Sequence, residues 1–274
     1  MTTQTSSREV LIECRDLVCG YGTEAVLEGI DLEIYRGEIA TLLGGSGSGK
    51  STLLKTIVGL LPPLSGEVRL LGERLDDLSP AEQRSLLRRT GMMYQYGALL
   101  GSRTIYENLS LPLRQHTDLP EEIMREMVRQ RLALVGLEGI EHRLPSDISG
   151  GQRKRVALLR ATIMDPELIF ADEPSAGLDP VVAAGLDVLL RDMQRLFGAT
   201  MLVVTHELES VRILADRVIM LDQGRVRATG SVEELEESDD PVVHNFFKRV
   251  PPTYIDRDRG AKSVLDALSG GSPG

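Results

Sequence analysis

The chain has 274 residues, 42% of them hydrophobic, which suits one sizeable core with an embellishment rather than a disordered or fibrous protein. A formal charge of −10 provides no global basic field for holding DNA or RNA, so no nucleic-acid partner is expected. Cys14 and Cys19 suit neither a disulfide framework nor a zinc site and read as buried thiols; with no signal-type leader and no apolar run of about eighteen residues, a soluble, cytoplasmic chain is expected.

Residues 10–13 and 31–35 read as strands flanking Gly20-Tyr21-Gly22, a turn that exposes an aromatic ring. Tyr21 can stack on a nucleotide base, which asks only for a flat face, or can be an ordinary turn residue. Residues 38–43 form a short, largely apolar run suited to a buried strand. Gly44-Gly45-Ser46-Gly47-Ser48-Gly49-Lys50-Ser51-Thr52 follows, matching the phosphate-binding pattern G-x-x-x-x-G-K-[ST] without a mismatch. A helix over 52–60, with Leu53, Leu54, Ile57, Val58 and Leu60 apolar, completes the strand–loop–helix order that the pattern needs. The glycines let backbone N–H groups converge on phosphate oxygens at the positive end of that helix. Lys50 would reach the β- and γ-phosphates and Ser51 would ligate Mg²⁺; the bland alternative is a flexible Gly/Ser turn containing a lysine. Residues 67–71 read as another strand, and Ser79-Pro80-Ala81-Glu82 is a capping box opening a helix through about Arg89.

From Tyr94 to Asp165 the character turns helical, as if a helical insertion interrupts an α/β core. Residues 120–135 show one broad apolar face of Ile123, Met124, Met127, Val128, Leu132, Leu134 and Val135, opposite Arg125, Glu126, Arg129 and Arg131; this face reads as core. Ser149-Gly150-Gly151-Gln152 then opens a helix to Met164, either a second anion site or an ordinary Ser-capped helix. After it, an apolar strand runs into Asp172-Glu173. Asp172 at the strand end would face Mg²⁺, and Glu173 would polarise the attacking water; a solvated acidic turn is the poorer reading. Residues 201–206 repeat the design, ending a buried strand in His206 on the same sheet edge, placed to sense the γ-phosphate.

Taken together, the phosphate loop, Gln95, Ser149 to Gln152, Asp172-Glu173, Ser175-Ala176-Gly177-Leu178-Asp179 and His206 resemble the nucleotide-binding subunit of ATP-binding cassette (ABC) transporters over about residues 10–230. The resemblance implies an α/β fold: a P-loop NTPase core with an antiparallel β subdomain and an inserted helical subdomain. It implies ATP and Mg²⁺ as cofactors, Gln95 coupling Mg²⁺ and water to a membrane partner, and Ser149 to Gln152 as the signature sequence. Glu173 would be the catalytic carboxylate, Asp179 part of the loop meeting the opposite subunit, and His206 the switch histidine. Gly45 stands where many members have Pro, and Ile148 where Leu usually precedes Ser-Gly-Gly; neither removes a ligand. The expected organisation is a flexible start at 1–9, an ATPase domain at 10–249 with its helical insertion at about 96–165, and a tail at 250–274.

Gln95-Tyr96-Gly97-Ala98-Leu99-Leu100, Leu111-Pro112-Leu113-Arg114, His116-Thr117-Asp118-Leu119-Pro120 and Asn245-Phe246-Phe247 further resemble MlaF-type ATPases of Mce-associated phospholipid transporters. That resemblance implies a peripheral location on the cytoplasmic side of the inner membrane. Implied partners are a second copy across two ATP sites, permease chains, a small regulatory subunit and an Mce-type substrate-binding protein. The tail carries apolar Tyr254-Ile255 and residues 264–268, which are expected to dock on the other copy or on the regulatory partner. A second anion site in the helical lobe cannot reach the same phosphate within one compact chain, so it is expected from a two-fold-related copy. A soluble ABC ATPase of the iron–sulfur assembly type stays open as an alternative, as does an ABC ATPase for a non-lipid cargo. A DNA-repair ATPase would need long coiled-coil insertions that are not seen. A non-hydrolysing module is disfavoured by the presence of Lys50, Asp172, Glu173 and His206.

Overall fold

A computed structural model describes residues 8–250. The expectations for residues 1–7 and 251–274, including the docking of the tail, lie outside the described residues. The chain runs β1 (Val10–Tyr21), β2 (Glu24–Tyr35), β3 (Ile39–Gly44), α1 (Lys50–Ile57), β4 (Ser65–Leu70), β5 (Glu73–Arg74), α2 (Pro80–Leu87) and β6 (Thr90–Met93). Next come α3 (Ile105–His116), α4 (Glu121–Leu134), α5 (Gly150–Thr162), β7 (Leu168–Asp172), α6 (Pro180–Phe197) and β8 (Thr200–Thr205). It closes with α7 (Leu208–Leu214), β9 (Arg217–Asp222), β10 (Arg225–Gly230), α8 (Val232–Glu236) and α9 (Pro241–Phe247).

Two sheets result. One is antiparallel, in the order β2-β1-β4-β5. The other has the order β10-β9-β3-β8-β7-β6, parallel from β9 to β6, with β10 added antiparallel at its edge. Its inner strands are buried on both faces, so they read as continuous apolar runs rather than alternating ones. Alternation still decides which side each residue serves. Ile39, Ile169, Ala171, Met201 and Val203 meet the helices α3 to α6, whereas Ala40, Leu42, Phe170, Leu202 and Val204 meet α1 and the antiparallel sheet. The antiparallel sheet therefore lies over the face that carries α1, and α3 to α5 lie between β6 and β7 in sequence and on the opposite face.

Several expectations need correcting. Strand β1 runs to Tyr21 rather than stopping at Glu13, because register shifts let it bend while staying paired with β2 and β4. The apolar face of α4 centres on Met124, Val128 and Leu132, spaced by four, while Ile123 and Leu134 stay exposed. Helix α3 falls within the stretch expected to be helical, although it contains Pro112. It is started by a Thr104/Glu107 capping box and anchored by the buried Asn108 amide, which donates to the carbonyls of Leu100, Arg103 and Thr104. Both cysteines are buried free thiols, as expected, and burial pushes the Cys14 thiol up.

Candidate active site

Strand β3 is held between β8 and β9 and ends at Gly44, where the chain turns into the loop that opens α1. Two glycines there are required by space. A Cβ on Gly44 would sit 2.4 Å from the Leu221 carbonyl oxygen, and one on Gly49 would sit 2.7 Å from Leu27 Cγ, at backbone φ of +157 and +99. Gly45, by contrast, faces open space. The Lys50 ammonium is buried and donates to the carbonyls of Gly44 at 2.8 Å and Gly45 at 2.9 Å, spanning the loop. Burial lowers its pKa, with Glu173 and Asp172 opposing. The Ser48 hydroxyl is buried without a partner, while Ser51 on the first turn is exposed. Val26, Gly47, Ser48, Gly49, Lys50, Ser51 and Thr52 line a cavity of about 210 Å³. An orphaned hydroxyl, a cation and a helix N-terminus converging on one small cavity fit an anionic phosphate group.

Across the sheet, the register aligns the C-terminal ends of β3, β8, β7 and β6, with Leu43 opposite Thr205, Val204 opposite Asp172 and Ala171 opposite Met93. This places Gly44, Asp172, His206 and Gln95 on one edge. Asp172 is half-buried, and its carboxyl is pushed up first by burial and then by the adjacent Glu173. Glu173 adopts φ +47, left-handed for a residue with a side chain, and its N–H donates to the Val204 carbonyl at 2.8 Å. One carboxylate oxygen lies 2.7 Å from His206 Nδ1, and the other is buried with no partner. Tyr21, 50% exposed on the β1–β2 hairpin, stands beside α1, where Lys55 Nζ lies 3.5 Å from its hydroxyl.

The remaining predicted residues sit apart from this cluster. Ser149 and Gln152 form a reciprocal capping box on α5: the Gln152 N–H donates to Ser149 Oγ and the Ser149 N–H to Gln152 Oε1. Gly151 lies so close to α6 that a Cβ would meet Val182 Cγ1 at 2.6 Å, and Gly150 faces Leu178. Asp179 caps α6, accepting from the Val182 N–H at 3.1 Å. Among the described residues, no hydrogen bond joins Ser149, Gln152 or Asp179 to the phosphate loop.

Two features escaped the sequence reading. Lys154 is buried on α5 and donates to the main-chain carbonyls of Gln95 and Glu173. It stands between Arg153 and Arg155, and the helical spacing to Ala157, Leu158 and Ala161 is the available sequence signal of an inward position. Asp187 on α6 is 1% exposed and lies beside the hydroxyls of Ser175 and Ser210, which pair with each other at 3.0 Å, while its own Oδ1 is buried without a hydrogen-bond partner. Burial pushes its carboxyl up to about 6.

A phosphate loop at the mouth of α1, with an acid pair and a histidine on neighbouring strand ends, defines the class of P-loop nucleotide hydrolases. Residues 27–176 match the "ABC transporter" family. The chain is 40% identical over 259 residues to "Probable ribonucleotide transport ATP-binding protein mkl" of Mycobacterium tuberculosis, covering 94% of this chain and 72% of that protein. It is 37% identical over 238 residues to "Intermembrane phospholipid transport system ATP-binding protein MlaF" of Haemophilus influenzae, covering 87% of this chain and 90% of the relative. Among solved structures, a dimeric post-hydrolysis state of the ATP-binding cassette MJ0796 bound to ADP and phosphate aligns with a TM-score of 0.73 at 31% identity, over 81% of this chain and 99% of that one. The chain belongs to the ABC transporter family as its ATP-binding, ATP-hydrolysing subunit, and the resemblance to MlaF-type ATPases is borne out.

Proposed function

We propose that this chain is the ATPase subunit of a membrane transporter that moves phospholipid or a related lipid, in an assembly of the Mla/Mce type. The observation that carries the ATPase half is the Glu173–His206 pair, held on the strand ends beside the phosphate loop with one carboxylate oxygen free to take a proton. The likeness to MlaF, which spans nine-tenths of that relative, supports the cargo.

In this reading, Lys50 and the loop N–H groups hold the β- and γ-phosphates, and Glu173 takes a proton from the attacking water. His206 orients Glu173 and senses the γ-phosphate, and Tyr21 stacks on the base. The Ser51 hydroxyl, Gln95 amide and Asp172 carboxylate are hard oxygen donors suited to Mg²⁺, which when bound would neutralise phosphate charge. The loop cavity is smaller than the roughly 300–1,000 Å³ of pockets that enclose a whole ligand, which supports a nucleotide shared between two copies. Ser149, Gly150, Gly151, Gln152 and Asp179 then serve the nucleotide of the opposite copy. No helix among the described residues is long and apolar enough to cross a membrane, so the pathway belongs to permease chains. The ATPase sits peripherally against them on the cytoplasmic side of the inner membrane. An Mce-type binding protein and a small regulatory subunit complete the assembly.

The name of the mycobacterial relative supports a second cargo, ribonucleotide. Reconstituting the complex purified from membranes into liposomes separates the readings. ATP-dependent movement of a fluorescent phospholipid is expected. Movement of labelled ribonucleotide but not of lipid would replace the cargo, and a chain that purifies without any membrane protein would favour a permease-free ATPase.

A further inference from the structure

We propose that Lys154 is a positioning residue that registers the Glu173 main chain against the Gln95 loop, so that a displacement of that loop is felt at the carboxylate. The side chain is 7% exposed, and the ammonium contacts two main-chain carbonyls rather than an acid. A lysine is costly to bury, and an apolar side chain would fill the same space on α5 without needing donors satisfied. What the ammonium adds is a bridge between the ends of two adjacent strands, since Gln95 follows β6 and Glu173 follows β7.

Two further contacts give the bridge a direction. Two turns along α5, the Arg160 guanidinium donates to the carbonyls of Gly97 and Ala98, each at 2.8 Å. The loop from Gln95 to Ala98 is therefore fastened to α5 at both ends and moves with it. Glu173, by contrast, is tied to α5 at its own main chain through Lys154. Its left-handed backbone is a conformation that persists only where surrounding contacts over-determine it, and the bonds from its N–H to Val204 and from Lys154 to its carbonyl are two such contacts. Removing the ammonium leaves the catalytic carboxylate free to drift while the nucleotide-holding loop stays unchanged.

The inference rests on Glu173 being the base, and the experiment separates the two. In the complex purified from membranes, K154M is expected to lower kcat by roughly 10-fold or more, because small misplacements of a reacting group are costly. KM, affinity for a fluorescent ATP analogue and Tm should stay close to wild type. K154Q, which keeps N–H donors without the charge, should recover a large part of the lost turnover. In an E173Q background, K154M should add almost nothing, because both act through the same carboxylate. A K154M kcat within about twofold of wild type, a loss that multiplies on top of E173Q, or a loss that tracks Tm and nucleotide affinity would each overturn the role of Lys154 while leaving Glu173 as the base. Full turnover by E173Q alone would instead remove the base and the registration of it together.

Discussion

Replacing Glu173 by glutamine isolates the chemical step from the architecture around it. The side chain is 12% exposed, with one oxygen 2.7 Å from His206 Nδ1 and the other lacking any partner. The amide oxygen can keep the contact to the ring, while the amide nitrogen replaces the free oxygen and cannot accept a proton. Loss of a general base is worth roughly 10²- to 10⁴-fold, or about 2.7–5.4 kcal/mol of barrier at 1.36 kcal/mol per decade. Folding should not suffer. Burial and the neighbouring Glu173 both push the Asp172 carboxyl up, so removing the second charge relieves a repulsion. Phosphate release by the assembled complex at saturating ATP measures the loss, and a fluorescent ATP analogue checks that binding survives. Turnover within about threefold of wild type would reject Glu173 as the base.

Gly44→Ala should be destabilised by about 1–3 kcal/mol and bind nucleotide poorly, because its methyl group meets a strand carbonyl, whereas Gly45→Ala in open space should match wild type in Tm and binding. Equal behaviour of the two in thermal melts would show that the loop is not held as described. Subunits carrying Ser149→Arg or Lys50→Ala, each inactive alone, should regain part of the ATPase activity when mixed, since a mixed dimer has one site with both defects and one with neither; no recovery from verified heterodimers would defeat the shared site. Asp187 has a folded pKa of about 6, above that of an exposed carboxylate, so the native state binds its proton more tightly than the unfolded chain does. The stability this confers is full below the unfolded value and is lost as pH rises toward 6. Asp187→Asn should therefore raise Tm relative to wild type at pH 7 to 8, with the advantage fading as pH falls from 6 toward 4, and a pH-independent difference in thermal melts would contradict this.

The strand ends that bear chemistry were legible because each joins two signals: an apolar run that can only be a buried strand, and a polar residue placed where the strand stops. Residues 38–44, Asp172-Glu173 and His206 all have this form. The phosphate loop added a spacing that few other structures need. Less legible was anything fixed by contacts between distant segments. Pro112 argues locally against α3, and the buried Asn108 amide, bonded to the preceding segment, adds to the Thr104/Glu107 capping box in holding the helix. The placing of Lys154 is of this kind, since its carbonyl partners lie 59 and 19 residues away in sequence. The full length of β1 depends on pairing with β2, whose register runs on to Tyr21 opposite Glu24 and which no local pattern in residues 14–21 announces.

The pairing of β3 also dictates when the nucleotide site can come into being during synthesis. This strand leads into the phosphate loop, yet both of its hydrogen-bonded neighbours, β8 and β9, come from the last third of the sequence. At ribosomal rates of about 5–20 residues per second, the stretch from Gly44 to the end of β9 takes roughly 10–35 s to emerge. Until β8 has been made the strand from Ile39 to Gly44, wholly apolar but for one threonine, has neither native edge to pair with, and until β9 follows it has only one. A nascent chain thus carries an unsatisfied aggregation-prone segment near its start until most of it has been made, and premature termination anywhere before β9 leaves a fragment with the full phosphate-loop sequence but no frame to hold it.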